Sequence, residues 1–417
     1  MRFIYRFSGV GIASVVLLAA SYTANADSRP AATPRSFDAL WQELQNANPA
    51  LAAVAAERAL AAGEEIQARL RPNPQLQLST ENVGVSARED TLAIAQTMEL
   101  GGKRAARIAL ASTQRDLARA LLAQKRAELH AELRAAFYGL LGAQARLALA
   151  EDNLALARQD ADSVKHQIAA GRLAPLTATR AEIELTNARL LAVRERTELR
   201  RAQRSLAALL GNRSLKLTVV GALDILPVVP PLDMLRQSLR MAPALAAATL
   251  ETTRRGAQVH VEESRRYGDL TVTAGLRYMN ELRQPAGVRM VSIPLPLSNR
   301  NQGNVAQAQG AAEQAAALER ATELELAHDL DDAYLRFELA ASCAADISKT
   351  VQPAAQATLD ATSRGFALGK YGLIELLDAR GVLLQSRSRL IDAQLDAQSA
   401  LTDLVRVLGD ERIAELW

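Results

Sequence analysis

The chain of 417 residues has a single cysteine, Cys343, so no intrachain disulfide can form and stability must come from packing or assembly. Aromatic residues make up only 4% and charged residues 23%, a profile that points to long helices packed closely through small side chains. Neither charge sign dominates. The formal net charge is +3, with arginine and glutamate interspersed along helical runs, so no basic patch with aromatic interleaving exists and nucleic acid is excluded as a partner. Beyond the first twenty residues no stretch supplies the roughly 18 uninterrupted apolar residues of a membrane helix. The four histidines (His130, His166, His260, His328) are scattered and form no ligand-spaced pair, and the methionines are equally dispersed. Gly-x-Ser-x-Gly, a phosphate-cradling loop and a paired His-Glu motif are all missing. The chain therefore reads as having no catalytic residues, no cofactor and no metal site.

What is present begins with an export signal. Arg2 and Arg6 precede an apolar run over 10–20, and Ala24-Asn25-Ala26 has the small-x-small form of a cleavage site. The reading is a signal peptide over 1–26 and a mature chain from Asp27, with no cysteine at the cleavage point to carry a lipid.

The remainder is written twice. Asn48-Pro49-Ala50-Leu51 recurs as Ala242-Pro243-Ala244-Leu245 at an offset of 194, while His130 and His328, Gly171 and Gly369, and Leu210-Gly211 and Leu408-Gly409 recur at 198. Repeats are expected over 27–226 and 232–417, separated by Pro227-Val228-Val229-Pro230-Pro231, which cannot continue a helix. Each repeat runs in one order: an amphipathic helix (36–70; 232–264), two strands (near 75–83 and 91–100; near 269–278 and 288–297), a long helix (102–170; 303–368) and a return helix (176–210; 373–408).

Strand period is clearest over 269–278. There Leu270, Val272, Leu276 and Tyr278 share one face and Asp269, Thr271, Thr273 and Arg277 the other. Gln284-Pro285-Ala286-Gly287 is expected to be the turn into the next strand. Taken alone such a strand is better read as a surface sheet resting on a core, although its length also suits a tilted membrane strand of about nine to eleven residues. The rods favour the second reading. A helix of about seventy residues would be about 100 Å long, and Leu117, Leu121, Leu122, Leu129, Leu133, Phe137, Leu140 and Leu141 recur at the spacing of a coiled-coil seam. Strand gives way to helix at two corners, Gly101-Gly102-Lys103-Arg104 and Asn299-Arg300-Asn301-Gln302-Gly303. Four strands cannot close a barrel, and open edges in hydrocarbon leave unpaired amides, so strands must be shared between chains. Two chains would supply eight strands and a plugged barrel; three would supply twelve and leave room for water.

The duplicated helix-hairpin-helix unit, the two corners and the segment Gly369-Lys370-Tyr371-Gly372-Leu373-Ile374-Glu375-Leu376-Leu377-Asp378-Ala379 together resemble the TolC family of outer-membrane efflux channels. Glu99-Leu100-Gly101-Gly102-Lys103-Arg104 and the stretch from Pro294 to Gly303 are similar to the corners of its cobalt-zinc-cadmium and copper resistance members. The resemblance implies a mainly α chain with a membrane β-barrel part. It would be a homotrimer with a twelve-stranded barrel in outer-membrane lipid, continued by a helical tube across the periplasm. A periplasmic adaptor and an inner-membrane RND-type pump are the implied partners, and divalent heavy-metal cations the implied cargo, with organic solutes and drugs as the alternative. An acidic ring at the periplasmic mouth would fall on Glu375 and Asp378, where the first repeat has Thr177 and Arg180; simple compensation of a helix dipole is the competing account. Gly171, Arg172, Pro175, Gly369, Lys370 and Tyr371 are helix-turn corners, and the resemblance makes them adaptor-facing tips. A coiled-coil adaptor is the competing identity, although it needs no alternating hairpins.

Overall fold

The computed structural model describes residues 34–211 and 217–409; the export signal read at 1–26 lies outside them. Helix α1 (Phe37–Ala47) is capped by the Ser36 hydroxyl, which accepts from Ala39 N–H. Helix α2 (Pro49–Arg69) starts afresh because Asn48 turns extended and its Oδ1 accepts from Ala50 and Leu51 N–H at 2.9 and 3.2 Å, with Pro49 in the first turn. The single helix expected over 36–70 is thus two. The second repeat breaks likewise at Ala242-Pro243, into α5 (Leu232–Ser238), a 3-10 turn (Leu239–Met241) and α6 (Pro243–Ser264).

Strands β1 (Gln75–Glu81) and β2 (Glu89–Met98) precede α3 (Lys103–Ala169), one unbroken helix of 67 residues and so about 100 Å of rod. Its return is α4 (Leu176–Leu209), and where α4 stops, Asn48 Nδ2 donates to Leu209 O at 3.1 Å, so that α2 carries the same line onward beside α3. Strands β3 (Leu270–Met279) and β4 (Gln284–Ser292) lead into α7 (Gln302–Asp346), then α8 (Gln352–Ala367) and the return helix α9 (Leu373–Leu408). A π turn over Ile347–Val351 interrupts the rod expected to be continuous over 303–368. Pro353 follows it directly: a proline lacks the donor and its ring crowds the carbonyl four residues back, and the wider turn makes room.

The four strands form one antiparallel sheet in the order β1-β2-β3-β4. Strand β4 begins earlier than its sequence suggests. Pro285 pairs with Tyr278 and Gly287 with Leu276, so the segment read as a turn is strand, and the chain reverses over 280–283 through Arg283 at φ 51°. Proline is tolerated because Pro285 stands at the very start of β4, where a missing donor costs the ladder least. The ladder ends at Ser292, before Pro294 and Pro296.

The two largest core clusters correspond between the repeats. One cluster joins α1, α3 and α4 through Leu40, Leu133, Leu140 and Leu206; the other joins α5, α7 and α9 through Leu235, Leu330, Leu401 and Leu404. The connecting segment 217–231 ties them together. Gln144 both donates to Val219 O and accepts from Val219 N–H at 3.1 Å, while Gln398 Nε2 donates to Ile225 O at 3.1 Å.

His130 sits in the first cluster, 2% exposed, edge-on to Phe37 and Trp41. Burial, with help from the neighbouring Arg134 and against the pull of Asp38, lowers its pKa from 6.5 to about 4. Between those values the unfolded chain takes up a proton that the folded chain refuses, so stability is full above pH 6.5 and falls as pH drops toward 4, by about 3 kcal/mol. The melting temperature of the detergent-solubilised protein should decline across this window, and His130→Leu should flatten the decline. An unchanged slope would remove His130 as its source.

Candidate functional site

Three regions bring together the residues singled out in the sequence: the sheet, the strand-to-helix corners and the far tip. In the sheet the register aligns Leu76 with Ile94, Leu78 with Leu92, Leu92 with Leu276 and Val272 with Val291. Side chains paired across strands share a face, so these residues form one apolar surface. It points outward. Leu78 is 75% exposed and Leu276 62%, whereas Ala95 and Thr273 on the opposite face are 2% and 4% exposed. A surface sheet lying on a core would have the reverse pattern. The outer edges of β1 and β4 have no partner strand among the described residues.

At the first corner Gly101 and Gly102 both adopt left-handed backbone, φ 69° and 74°. A β-carbon on Gly101 would also lie 2.5 Å from the Tyr267 ring, so glycine is required twice over. Lys103 Nζ pairs with Asp269 Oδ1 at 2.6 Å, Arg104 Nε donates to Arg69 O at 2.9 Å, and Arg107 pairs with Glu99. The second corner makes its turn with Asn301, φ 60°, a residue type that tolerates this region. Its Nδ2 donates to Glu262 O and Oε2 at 2.8 and 3.0 Å. Burial opposes charge on Glu262, but hydrogen bonds from Asn301, Arg265 and Gln258 outweigh it and hold the carboxyl below its usual range. Asn299 Oδ1 accepts from Asn301 N–H at 3.0 Å and Arg300 N–H donates to Gln302 Oε1 at 2.8 Å. Gly303 has open space where a β-carbon would stand and no positive φ, so the fold makes no steric demand for glycine there.

The tip holds two αL-capped turns. Gly171 and Gly369 share φ 71°; Arg172 N–H donates to Gln167 O at 2.9 Å and Lys370 N–H to Gly365 O at 2.8 Å, the pattern of a Schellman cap. The Tyr371 ring packs against Gly365, where a β-carbon would meet it at 2.1 Å. Pro175 precedes α4 as its N-cap. Glu375 and Asp378 lie on the exposed side of α9, while on its other side Ala379 is buried and Leu373 and Leu376 join a tip core with Ala161, Val164 and Ala181.

Sequence reading missed the ties between the repeats. Along the seam of α3 and α9, Arg134 donates to Gln398 Oε1 at 2.9 Å, Arg146 pairs with Asp392 at 2.6 Å, and nearest the tip Arg380 pairs with Asp160. The last pair is well covered, its side chains 13% and 17% exposed, and Arg380 stands two positions beyond Asp378. Partners 220 to 264 residues apart leave no local signal. A weak one exists: Glu182, the repeat mate of Arg380 at the offset of 198, has the opposite charge.

A sequence family described as "Outer membrane efflux protein" matches residues 40–212 and, a second time, residues 234–410. The chain belongs to this family. A curated relative, the cobalt-zinc-cadmium resistance protein CzcC of Cupriavidus metallidurans, is 35% identical over 382 residues, 91% of each chain. Among solved structures, the outer-membrane channel OprN superposes with a TM-score of 0.76 at 19% identity, covering 89% of each chain. CusC superposes equally well, at 18% identity over 93% of this chain and 95% of that one. An outer membrane efflux protein is a channel and not an enzyme. The match also sets aside the coiled-coil adaptor and gives the outward apolar sheet a setting.

Proposed function

We propose that this outer membrane efflux protein is the passive outer conduit of a tripartite pump for divalent heavy-metal cations, working as a homotrimer. The outward apolar face of a four-stranded sheet with two open edges carries the reading. Three chains edge to edge would make twelve strands, pair every edge amide and place Leu76, Leu78, Leu92, Ile94 and Leu276 in lipid. Assembly is also supported along the rod, where Leu176, Ile183, Leu190 and Val193 of α4 stand exposed at near-heptad spacing. The periplasmic adaptor and the inner-membrane RND-type pump are part of this proposal, with the exposed turns at Gly171-Arg172 and Gly369-Lys370-Tyr371 as the docking tips.

The cargo is taken from the relatives. CzcC is named for resistance to cobalt, zinc and cadmium, and a nickel-cobalt-cadmium resistance protein, NccC of Alcaligenes xylosoxydans xylosoxydans, is 28% identical over 281 residues. Deleting the gene should sensitise the host severalfold to salts of these metals, and plasmid-borne wild type should restore tolerance. Unchanged metal tolerance combined with new sensitivity to organic drugs would overturn the metal cargo and leave the conduit standing.

Glu375 and Asp378 form the proposed periplasmic gate. Three copies of each carboxylate around one axis would attract cations and resist crowding together. Replacing both by alanine should change single-channel conductance in planar bilayers and reduce cation over anion preference severalfold. Identical currents would return both residues to the role of helix-terminal charges.

A further inference from the structure

The apolar outer face of the sheet carries one charge in mid-strand. Arg289 of β4 pairs with Ala274 of β3, and Ala274 shares its face with Val272 and Leu276, so the Arg289 side chain projects on the surface assigned to lipid. The residue is exposed and makes no hydrogen bond or ion pair with the described residues. A guanidinium on the lipid side of a barrel is destabilising unless an anion meets it, and the described residues offer none. On the same face Asp90 is engaged by Arg88 at 3.0 Å and by the Thr80 hydroxyl at 2.8 Å. Glu81 and Glu89, by register with each other and with Met279, lie on the opposite, inner face beside Arg277.

A neighbouring chain would not supply the anion either. Strand β4 is an edge, and the strand that a second copy would lay against it is β1. The outward residues of β1 are Leu76, Leu78 and Thr80, while Gln75, Gln77, Ser79 and Glu81 turn inward. The counter-charge must then come from the membrane.

We propose that Arg289 is a phosphate-binding residue for an anionic outer-leaflet lipid, one site per chain at the seam between subunits. A long arginine stem can run along apolar surface and carry its head toward the interface, here the rim marked by Tyr278 and Pro285, where lipid phosphates lie. This rests on the trimeric barrel proposed above.

The test uses the full-length protein in phosphatidylcholine nanodiscs doped with lipid A, either carrying its phosphates or stripped of them, with retained lipid counted by native mass spectrometry. Wild type should retain phosphorylated lipid A at least tenfold better than the stripped form. Arg289→Leu, which suits a lipid-facing strand, should lose that preference, Arg289→Lys should keep most of it, and Arg266→Ala, a charge removed at the aqueous end, should change nothing. Equal retention by Arg289→Leu overturns the site, as does displacement of the lipid by millimolar inorganic phosphate, which would mean that free phosphate is the ligand. If wild type itself yields no heat-resistant trimer, the barrel falls instead, a separable result.

Discussion

Replacing Arg380 by alanine is expected to raise the open probability of the channel and its mean conductance severalfold in planar bilayers. Arg380 ties the first turns of α9 to Asp160 on α3, joining the second repeat to the first close to the tip. Its neighbours Glu375 and Asp378 move with the same helix, so releasing this ion pair frees the proposed gate. The pair is mostly desolvated; removing one partner of a fully buried pair costs about 3–5 kcal/mol, and partial exposure here reduces that. Each 1.4 kcal/mol taken from the closed state multiplies the open-to-closed ratio by about ten. Asp160→Ala should act alike, the double variant should add little to either single one, and the exchange Asp160→Arg with Arg380→Asp should restore most of the closed state. Wild-type currents in both single variants would rule out the pair as a restraint. Arg146→Ala, removing the more exposed tie to Asp392 further from the tip, should have a much smaller effect, because exposed ion pairs contribute only about 0.2–1 kcal/mol.

The second large effect is expected at Gly275. A β-carbon there would stand 2.4 Å from Leu92 O and 2.6 Å from the Ala93 β-carbon, both on the adjacent strand β2. Such close approach marks a place where the sheet curls tightly, the use to which glycine is put at a barrel bend. Gly275→Val would force β2 and β3 apart at the centre of the ladder. Overpacking of this kind destabilises by about 1–3 kcal/mol or more, and the strain would recur in every chain of a closed ring. The variant should fail to form heat-resistant oligomers in outer-membrane extracts, while Gly287→Ala, with open space around its β-carbon, should assemble normally. Normal assembly of Gly275→Val would mean that the sheet is not curled there in the working protein.

Much of this was legible in the order of residues. Period two over Leu270, Val272, Leu276 and Tyr278 named the shared face of β3, and the glycines at 171 and 369 marked turns that the backbone makes with positive φ. Both signals are local, because a strand or a helix cap is decided by neighbours within a few residues. The start of β4 was not legible. Gln284-Pro285-Ala286-Gly287 has the composition of a turn, and only its pairing with Leu276 to Met279 of β3 makes it strand, with the proline tolerated at the strand's start. Nor was the break before Pro353: a proline within a helical run allows a stop, a kink or a π turn, and packing against α9 selects among them.

The sequence by itself determined the duplication, the length of the first rod, the alternation of the strands and the residues that turn strand into helix. The duplication shows as motifs recurring at offsets of 194 and 198, and the rest follow from periodicity and backbone sterics acting over a few positions. Only the tertiary structure decided that the apolar face of the sheet points away from the protein, that Arg289 stands on that face, and that α9 is fastened to α3 by Arg380 and Asp160. Alternation separates two faces without saying which one meets solvent or lipid, and an ion pair spanning 220 residues exists only once the two repeats have packed together.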